Sequence, residues 1–312
     1  MPLLKVENLS IGYQTRKGFL KAVEGVSFTL EKGKSLGFVG ESGCGKTTIG
    51  MALIGLLPGN AMILFEGEDL VKLSDDRMRR IRGRKIAMIF QAAMNALNPV
   101  LRVDDQIVEA ILTHNPDYTR KDAKKRVASL YELVGIPEKR MRDYPHQYSG
   151  GMKQRAIIAM ALSCRPALII ADEPTTALDV IVQDQILKET KKLQKKFGIS
   201  IIFISHDISI VADVCHEIGV MYAGQLIEYG KREEVFDSPT HPYTNALLES
   251  YPTLTGERKA LKSIKGETPN LITPPDACRF CDRCSRSGAT CSIERPIWEQ
   301  KSRTHRVLCC IP

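Results

Sequence analysis

Residues 40–47 read GESGCGKT, and this stretch decides the fold. It follows a short apolar run at residues 35–39, which predicts a buried strand, and it leads into residues 47–57, which we expect to form a helix. A strand, a glycine-rich loop and a helix in this order begin a parallel α/β unit. Backbone N–H groups in such a loop point towards phosphate oxygens, and the helix adds the positive end of its dipole. The stretch therefore predicts a phosphate-binding site.

Side chains of the same stretch suit a nucleotide and its metal ion. Lys46 supplies a positive charge for the β and γ phosphates, and the hydroxyl of Thr47 is a ligand that Mg²⁺ accepts. We expect the nucleotide to contact Gly40, Ser42, Gly43, Cys44, Gly45, Lys46, Thr47 and Thr48.

A second apolar run ends in two acids. Residues 168–173 read LIIADE, which predicts a buried strand followed by Asp172 and Glu173. Asp172 is placed to hold Mg²⁺, and Glu173 is placed to act as a general base on attacking water. Apolar runs at residues 86–90 and 201–204 predict further buried strands of the same sheet.

Composition sets the class of protein. The 312 residues suggest two domains, and 43% hydrophobic with 26% charged residues excludes disordered and collagen-like chains. The net charge of +8 is ordinary for a soluble chain and does not require a nucleic-acid partner. The longest uncharged stretch, residues 47–65, is interrupted by Pro58, and no secretory signal opens the chain. We expect a cytosolic chain.

Further short motifs surround the loop and the paired acids. They are Tyr13, Gln91 after an apolar run, YSGGMKQR at residues 148–155, ALD at 177–179, and His206 after another apolar run. Taken in this order, the set resembles the ATP-binding subunits of ABC transporters over residues 5–235. Tyr148 stands where leucine is commoner in that family.

The resemblance implies a fold and a role for each residue. The fold is α/β: a P-loop NTPase (RecA-like) core with an N-terminal antiparallel β subdomain, a helical insertion subdomain and a small cysteine-rich C-terminal extension. The implied nucleotide-binding domain is 1–237, with the helical subdomain at about 97–150, and the extension is 238–312. Glu173 and His206 would hydrolyse ATP, Tyr13 would stack on adenine, and Gln91 would join Thr47 and Asp172 at Mg²⁺. Ser149, Gly150 and Gly151 would cap ATP bound to a partner subunit.

Two segments narrow the resemblance to a branch of the family. Residues 238–248 read SPTHPYTNALL and residues 91–99 read QAAMNALNP, and both are similar to segments of peptide and nickel importers. Such an importer implies a second homologous ATP-binding subunit, two transmembrane permease subunits and an extracytoplasmic peptide-binding protein. The chain would act at the cytoplasmic face of the membrane. Dipeptides or oligopeptides are the implied substrate, and nickel or another small solute is the alternative.

Other ABC ATPases fit the sequence less well. Those acting on ribosomes or DNA usually carry two cassettes or a long coiled-coil insertion, and neither is present. An exporter subunit would lack both the 238–248 segment and the cysteine-rich extension. The basic run at residues 191–196 is interpreted as the solvated face of a helix, so no nucleic-acid partner is predicted.

Six of nine cysteines crowd into residues 278–310. In a cytosolic chain such cysteines are more often metal ligands than disulfides. Cys278, Cys281, Cys284 and Cys291 form a C-x2-C-x2-C-x6-C pattern, which favours a [4Fe–4S] cluster over zinc because zinc usually takes two separated pairs. Relatives often have histidine at the position of Cys281 and use a late cysteine, so Cys309 or Cys310 is the alternative fourth ligand.

Overall fold

The computed structural model describes residues 1–91, 93–176, 178–250 and 263–311. Ala92 and Ala177, which belong to two of the predicted motifs, lie outside the described residues. Internal contacts divide the chain into two compact units. The first, unit 1, comprises Met1–Lys72 and Phe203–Pro312, and the second, unit 2, comprises Leu73–Ile202. Within the described ranges, no helix combines the length and apolarity that crossing a membrane requires.

Both units contain strands, and the boundary between the units, at residues 202 and 203, falls within one of them. They are β1 Leu4–Thr15, β2 Gly18–Leu30, β3 Ser35–Val39, β4 Asn60–Phe65, β5 Glu68–Asp69, β6 Ile86–Ile89, β7 Leu168–Asp172, β8 Ser200–Ser205, β9 Glu217–Tyr222, β10 Gln225–Lys231, β11 Ile297–Gln300 and β12 Arg306–Cys309.

The α-helices lie between these strands along the chain, singly or in groups of two or three. They are α1 Lys46–Leu53, α2 Asp75–Ile81, α3 Val103–His114, α4 Arg120–Leu133, α5 Gly150–Leu162, α6 Val180–Phe197, α7 Ile208–Val214, α8 Arg232–Asp237 and α9 Pro242–Glu249.

Unit 1 contains the antiparallel subdomain that the sequence predicts. Its strands lie in the order β2-β1-β4-β5, and both long strands alternate buried with more exposed positions. That alternation places one face of the sheet against the core. Beside it, β3 is buried at every position and pairs in parallel with β9. A strand buried on both faces has no polar side to alternate, which explains its continuous apolar run.

Helix α1 begins at the end of the glycine-rich loop but is shorter than the predicted 47–57. It stops at Leu53, because Gly55 takes a left-handed φ of 64° and Pro58 follows shortly after. The four predicted buried strands are all present. Their observed bounds differ from the predicted ones by at most one residue at either end.

The C-terminal segment of unit 1 is joined to its sheet by strand pairing. β9 and β10 are antiparallel neighbours, and β12 adds to β10 through the pairs Glu228–Val307 and Tyr229–Arg306. β11 then pairs with β12 as the outermost strand. The extension is therefore an integral edge of the sheet, which its composition did not predict.

Unit 2 combines a short parallel pair with helices. β6 and β7 pair in parallel in register from Ile86–Leu168 to Ile89–Ala171. Helices α3 and α4 lie in the region predicted to be a helical insertion. α4 begins with a capping box between Thr119 and Asp122, the side-chain arrangement that satisfies free N–H groups at a helix start.

Candidate functional site

The glycine-rich loop of unit 1 has the backbone that a phosphate cradle needs. Gly40, Gly43 and Gly45 have φ values of 147°, 78° and 104°, a region that residues with a side chain rarely adopt. A Cβ at Gly45 would lie 2.6 Å from the carbonyl oxygen of Ala22, and one at Gly40 would lie 2.1 Å from that of Met221. These two glycines are required for space as well as for conformation, whereas a Cβ at Gly43 would meet nothing within 4 Å.

Lys46 is buried at the first position of α1 with its ammonium group turned onto the loop. Its Nζ donates to the carbonyl oxygens of Gly40 at 2.7 Å and Glu41 at 3.0 Å. A buried cation held by neutral carbonyls is well placed to exchange them for phosphate oxygens, which carry full charge. Thr47 in unit 1 and Asp172 in unit 2 each offer an oxygen of the kind that Mg²⁺ prefers as a ligand.

Cys44 contributes its backbone groups to the phosphate loop, and its buried thiol is not reactive. Its side chain is buried, and burial raises its pKa, an effect that neighbouring Lys46 partly opposes. Its carbonyl oxygen accepts a hydrogen bond from Gly224 at 3.1 Å. Ser42 is exposed, while Thr47 and Thr48 are half-buried on the first turn of α1.

Two more predicted residues belong to unit 1. Tyr13 lies half-buried in β1 opposite Leu20 of β2. His206 is exposed and follows β8 directly, next to Asp207, which caps α7 by accepting from the Ser209 N–H at 2.9 Å. The position at a strand end agrees with a side chain that faces a ligand.

Unit 2 brings Gln91 and Glu173 together. The side-chain amide of Gln91, which follows β6, donates to Glu173 Oε2 at 3.1 Å, and the Thr176 hydroxyl donates to the same oxygen at 2.9 Å. Asp172 ends β7 with only 1% of its surface exposed, and Glu173 beside it is half-buried. Two acids at the end of one buried strand thus lie in different environments.

The backbone of Glu173 is strained. Its φ is 47°, in the left-handed region, which costs a residue with a side chain about 1–3 kcal/mol. Strain of this kind persists where the surrounding structure fixes it, and such positions cluster at active sites. The strained conformation turns Glu173 out of the strand, and Gln91 and Thr176 hold its carboxylate there.

The predicted signature forms the start of α5. Ser149 is the N-cap, and its hydroxyl accepts from the Met152 N–H at 3.3 Å, while Gly150 and Gly151 open the first turn. Ser149 and Gly150 are exposed, so the free N–H groups of this helix end face solvent. A Cβ at Gly151 would approach Val182 Cγ1 to 2.9 Å, so glycine is needed where α5 meets α6.

Tyr148, the departure from the family pattern, is explained by packing. Its side chain is buried, and its hydroxyl hydrogen-bonds with that of Tyr131 at 3.2 Å and donates to the Arg140 carbonyl at 2.9 Å. Burial raises the pKa of both tyrosines, so both stay neutral donors. These hydrogen bonds anchor the start of the signature to Tyr131 of α4 and to Arg140.

The surface beside the signature is apolar. Val180 and Ile181, at the start of α6, are both 81% exposed, and Asp179 caps that helix by accepting from Val182 N–H at 3.0 Å. These two neighbouring aliphatic side chains make a small exposed apolar area at the start of α6.

The cysteine-rich segment brings several of its thiols near one another. The Cys278 N–H donates to the Cys291 carbonyl at 3.1 Å, and those of Cys281 and Cys284 donate to Cys278 and Cys281 at 3.2 Å each. Burial, and then nearby Cys309, Cys310 and Cys291, raise the pKa of Cys278 to about 12. In the part of the chain that the structure describes, no three cysteine, histidine or acidic side chains converge as ligands of one ion. The predicted cluster therefore stays a prediction.

Sequence reasoning missed the contacts that hold the phosphate loop from outside. The Glu41 carboxylate is paired with Arg283 of the cysteine-rich segment, and the Glu41 N–H donates to the Tyr243 hydroxyl at 3.0 Å. Both partners lie more than 200 positions away, and nothing in local spacing pairs them with the loop.

Comparison with known families gives two matches along the chain. Residues 23–176 match the family described as ABC transporter, and residues 227–291 match the family described as oligopeptide/dipeptide transporter, C-terminal region.

Curated relatives match nearly the whole chain. The dipeptide transport ATP-binding protein DppD of Bacillus subtilis is 47% identical, covering 98% of this chain and 94% of that protein. The oligopeptide transport ATP-binding protein OppD of the same organism is also 47% identical, covering 98% of this chain and 87% of its own length.

Solved structures confirm the predicted fold class. The ATP-binding cassette MJ0796, a dimer bound to ADP and Pi after hydrolysis, superimposes with a TM-score of 0.68 at 26% identity, over 73% of this chain and 98% of that one. The cbiO1 protein of Clostridium perfringens, part of an ABC transporter complex, gives 0.67 at 30% identity, over 76% of this chain and 91% of that one.

Proposed function

The chain belongs to the ABC transporter ATP-binding proteins, and we propose that it is the ATP-hydrolysing subunit of an importer of dipeptides or oligopeptides. The observation that carries the proposal is the likeness to DppD and OppD proteins over nearly the entire chain. The match of residues 227–291 to the peptide-transporter C-terminal region supports it independently of the ATPase core.

We assign the steps of ATP turnover to individual residues. The loop N–H groups and Lys46 bind the phosphates, and Tyr13 stacks on adenine. Thr47, Gln91 and Asp172 hold Mg²⁺, which neutralises charge on the phosphate oxygens when it is bound. Glu173 takes a proton from the attacking water, and His206 assists at the γ phosphate. What supports Glu173 in this role is its held carboxylate on a strained backbone.

A second ATP-binding subunit completes the site. In this proposal the N–H groups of Ser149, Gly150 and Gly151 cap ATP held by the partner subunit, because a helix start attracts anions. The exposed Val180 and Ile181 would be covered in the same assembly. The partner is a second homologous subunit, so that two chains enclose two nucleotides.

The membrane partners follow from the importer class. We propose that two permease subunits anchor the chain at the cytoplasmic face of the membrane. An extracytoplasmic binding protein would deliver peptide to those permeases, so the peptide itself does not touch this chain. The domain division at residue 237 is part of the proposal, with residues 238–312 as the extension.

ATPase assays test the assembly. The isolated chain should hydrolyse ATP slowly, and adding the second subunit and the permeases should raise the rate. Maximal activity in the isolated chain, shown to be monomeric by sedimentation, would contradict the composite site. Stimulation by a nickel-loaded binding protein, and none by a peptide-loaded one, would replace the peptide assignment by the nickel alternative.

We further propose that the cysteine-rich segment holds a [4Fe–4S] cluster, with zinc as the alternative. Support comes from the four thiols, their spacing and the hydrogen bonds that keep the segment together. Side chains must move to bring the thiols to one centre. Anaerobically purified protein should be brown and contain iron. Colourless protein with stoichiometric zinc and no iron would overturn the cluster assignment.

A further inference from the structure

Side chains from the C-terminal part of unit 1 hydrogen-bond to one residue of the phosphate loop, Glu41. The Arg283 guanidinium donates from Nη1 to Glu41 Oε2 and from Nη2 to Glu41 Oε1, both at 2.8 Å. This is the parallel two-bond geometry that makes arginine–carboxylate pairs specific as well as strong. The Arg283 side chain is 5% exposed and that of Glu41 27%, so solvent screens the pair only weakly.

Arg283 is fixed by more than this pair. Its Nε donates to the Lys265 carbonyl at 2.9 Å, its Nη1 also donates to the Tyr222 hydroxyl at 3.2 Å, and its guanidinium lies 5.6 Å from the centre of the Tyr222 ring. The hydrogen bonds to Glu41 raise the pKa of Arg283, so it is a permanent cation. Because these contacts fix the Arg283 side chain, the position of the cysteine-rich segment determines where its guanidinium holds Glu41.

Glu41 is also held through its backbone. Its N–H donates to the hydroxyl of Tyr243 at 3.0 Å, and its carbonyl accepts from Lys46 at 3.0 Å. Tyr243 in turn packs against Tyr222 and Phe280, with ring centres 4.7 and 5.3 Å away. Tyr243 lies in the 238–248 segment and Phe280 lies between Cys278 and Cys281, so one aromatic cluster joins that segment to the cysteine-rich turn.

We propose that Arg283 and Tyr243 are positioning residues that preorganise the phosphate loop, so that the cysteine-rich segment sets the affinity for ATP. Pairing with Arg283 neutralises a carboxylate that would otherwise repel the phosphates. Holding Glu41 at its N–H and side chain removes loop freedom that binding would have to restrict. The inference rests on the ATP-binding role proposed above.

Binding of a fluorescent ATP analogue to the purified full-length chain tests the proposal. Arg283→Met should raise the dissociation constant about tenfold, within the range typical of coupled sites. Arg283→Lys should give an intermediate loss because an ammonium group cannot make the two-bond pair. Tyr243→Phe, which keeps the ring, should weaken binding by about threefold, as expected for one neutral hydrogen bond.

A matched control and a double mutant separate positioning from general destabilisation. Arg295 belongs to the same segment but pairs with exposed Asp276 rather than with the phosphate loop, so Arg295→Met should leave affinity within about twofold. Once Glu41→Gln has removed the carboxylate, adding Arg283→Met should cause little further loss. In the ATPase assay Arg283→Met should raise KM while kcat at saturating ATP stays within about twofold, because the effect lies in binding.

Amide hydrogen exchange supplies a test that does not depend on ATPase activity. Since coupling between sites is reciprocal, the ATP analogue should slow amide hydrogen exchange in residues 278–284 of the wild type but not of Arg283→Met. The proposal is overturned if Arg283→Met binds the analogue as tightly as the wild type. It is equally overturned if Arg283→Met lowers the affinity for the analogue as much in the Glu41→Gln variant as in the wild type. If the wild type itself failed to bind nucleotide, the proposed ATPase function would be overturned too. If only the variants behaved unexpectedly, the positioning role alone would fail.

Discussion

The Gln91 amide donates a hydrogen bond of 3.1 Å to Glu173 Oε2, joining the segment after β6 to the segment after β7. Neighbouring parallel strands end at the same edge, so the two side chains meet although 82 positions separate them. The Thr176 hydroxyl shares the same carboxylate oxygen. The carboxylate is therefore oriented before any ligand arrives, which is what a general base requires.

Replacement of the base is the first prediction. Glu173→Gln keeps the shape and removes the proton acceptor, so ATP binding should persist while turnover falls roughly 10²–10⁴-fold. Glu66→Gln is a matched control, because Glu66 is exposed and shares the left-handed backbone, with φ 51°. A Glu173→Gln rate above about a tenth of the wild type would argue against the assigned role.

The two inner glycines of the phosphate loop should differ in tolerance. Gly45→Ala combines a φ of 104° with a clash against the Ala22 carbonyl, so it should abolish nucleotide binding. Gly43→Ala meets only the conformational strain of a left-handed φ, about 1–3 kcal/mol, and should retain measurable affinity. Titration with a nucleotide analogue ranks the two, and the reverse order would contradict the loop geometry.

Buried His241 should make stability depend on pH. Burial lowers its pKa to about 4, with Glu228 opposing and Arg286 reinforcing the shift. The unfolded chain, with a histidine pKa near 6.5, then binds more protons than the folded one between these values. The stabilisation is fully present above about pH 6.5 and is lost as the pH falls towards 4, by about 3 kcal/mol in total.

Thermal unfolding followed across that pH range measures this effect. His241→Asn keeps a side-chain acceptor for the Tyr243 N–H, which the His241 Nδ1 now accepts at 3.0 Å, and should flatten the dependence. Exposed His146→Asn is the control and should leave the dependence unchanged. An equal slope in His241→Asn and the wild type would show that the histidine is not the group responsible.

The sequence predicted the parts of the fold that local chemistry determines. Continuous apolar runs identified β3, β6, β7 and β8, because a strand buried on both faces admits few polar residues. It did not predict β11 and β12, since only half of the positions of β12 are buried and every position of β11 except Glu299 is exposed. Their register depends on β10, far away in the chain, and no local pattern encodes that pairing.

The candidate site likewise has parts that the sequence predicted and parts that it did not. Spacing identified the loop and the paired acids, and the family resemblance identified the signature, because each motif is local. The pair Arg283–Glu41 joins residues 242 positions apart, and Arg283 sits among cysteines whose pattern suggested only metal binding. Such a contact becomes visible only when the tertiary structure brings the two segments together.

The fourth ligand of the proposed cluster can be assigned by substitution. If Cys281 is a ligand, Cys281→Ser should lose iron while Cys309→Ser keeps it, and the reverse pattern would assign Cys309. Cys164→Ser in unit 2 serves as the control, because this cysteine lies outside the segment. Iron content per chain after anaerobic purification is the measurement, and full iron in all three variants would exclude both Cys281 and Cys309 and leave Cys310 as the fourth ligand.

Uptake of a labelled dipeptide into vesicles tests the central claim most directly. The vesicles would contain the chain, its homologous partner and both permeases, with ATP inside and the peptide-loaded binding protein outside. The account predicts peptide accumulation that requires ATP and that falls to background when this chain carries Glu173→Gln. Accumulation that continues unchanged with Glu173→Gln, or ATP hydrolysis without any peptide entry, would contradict it.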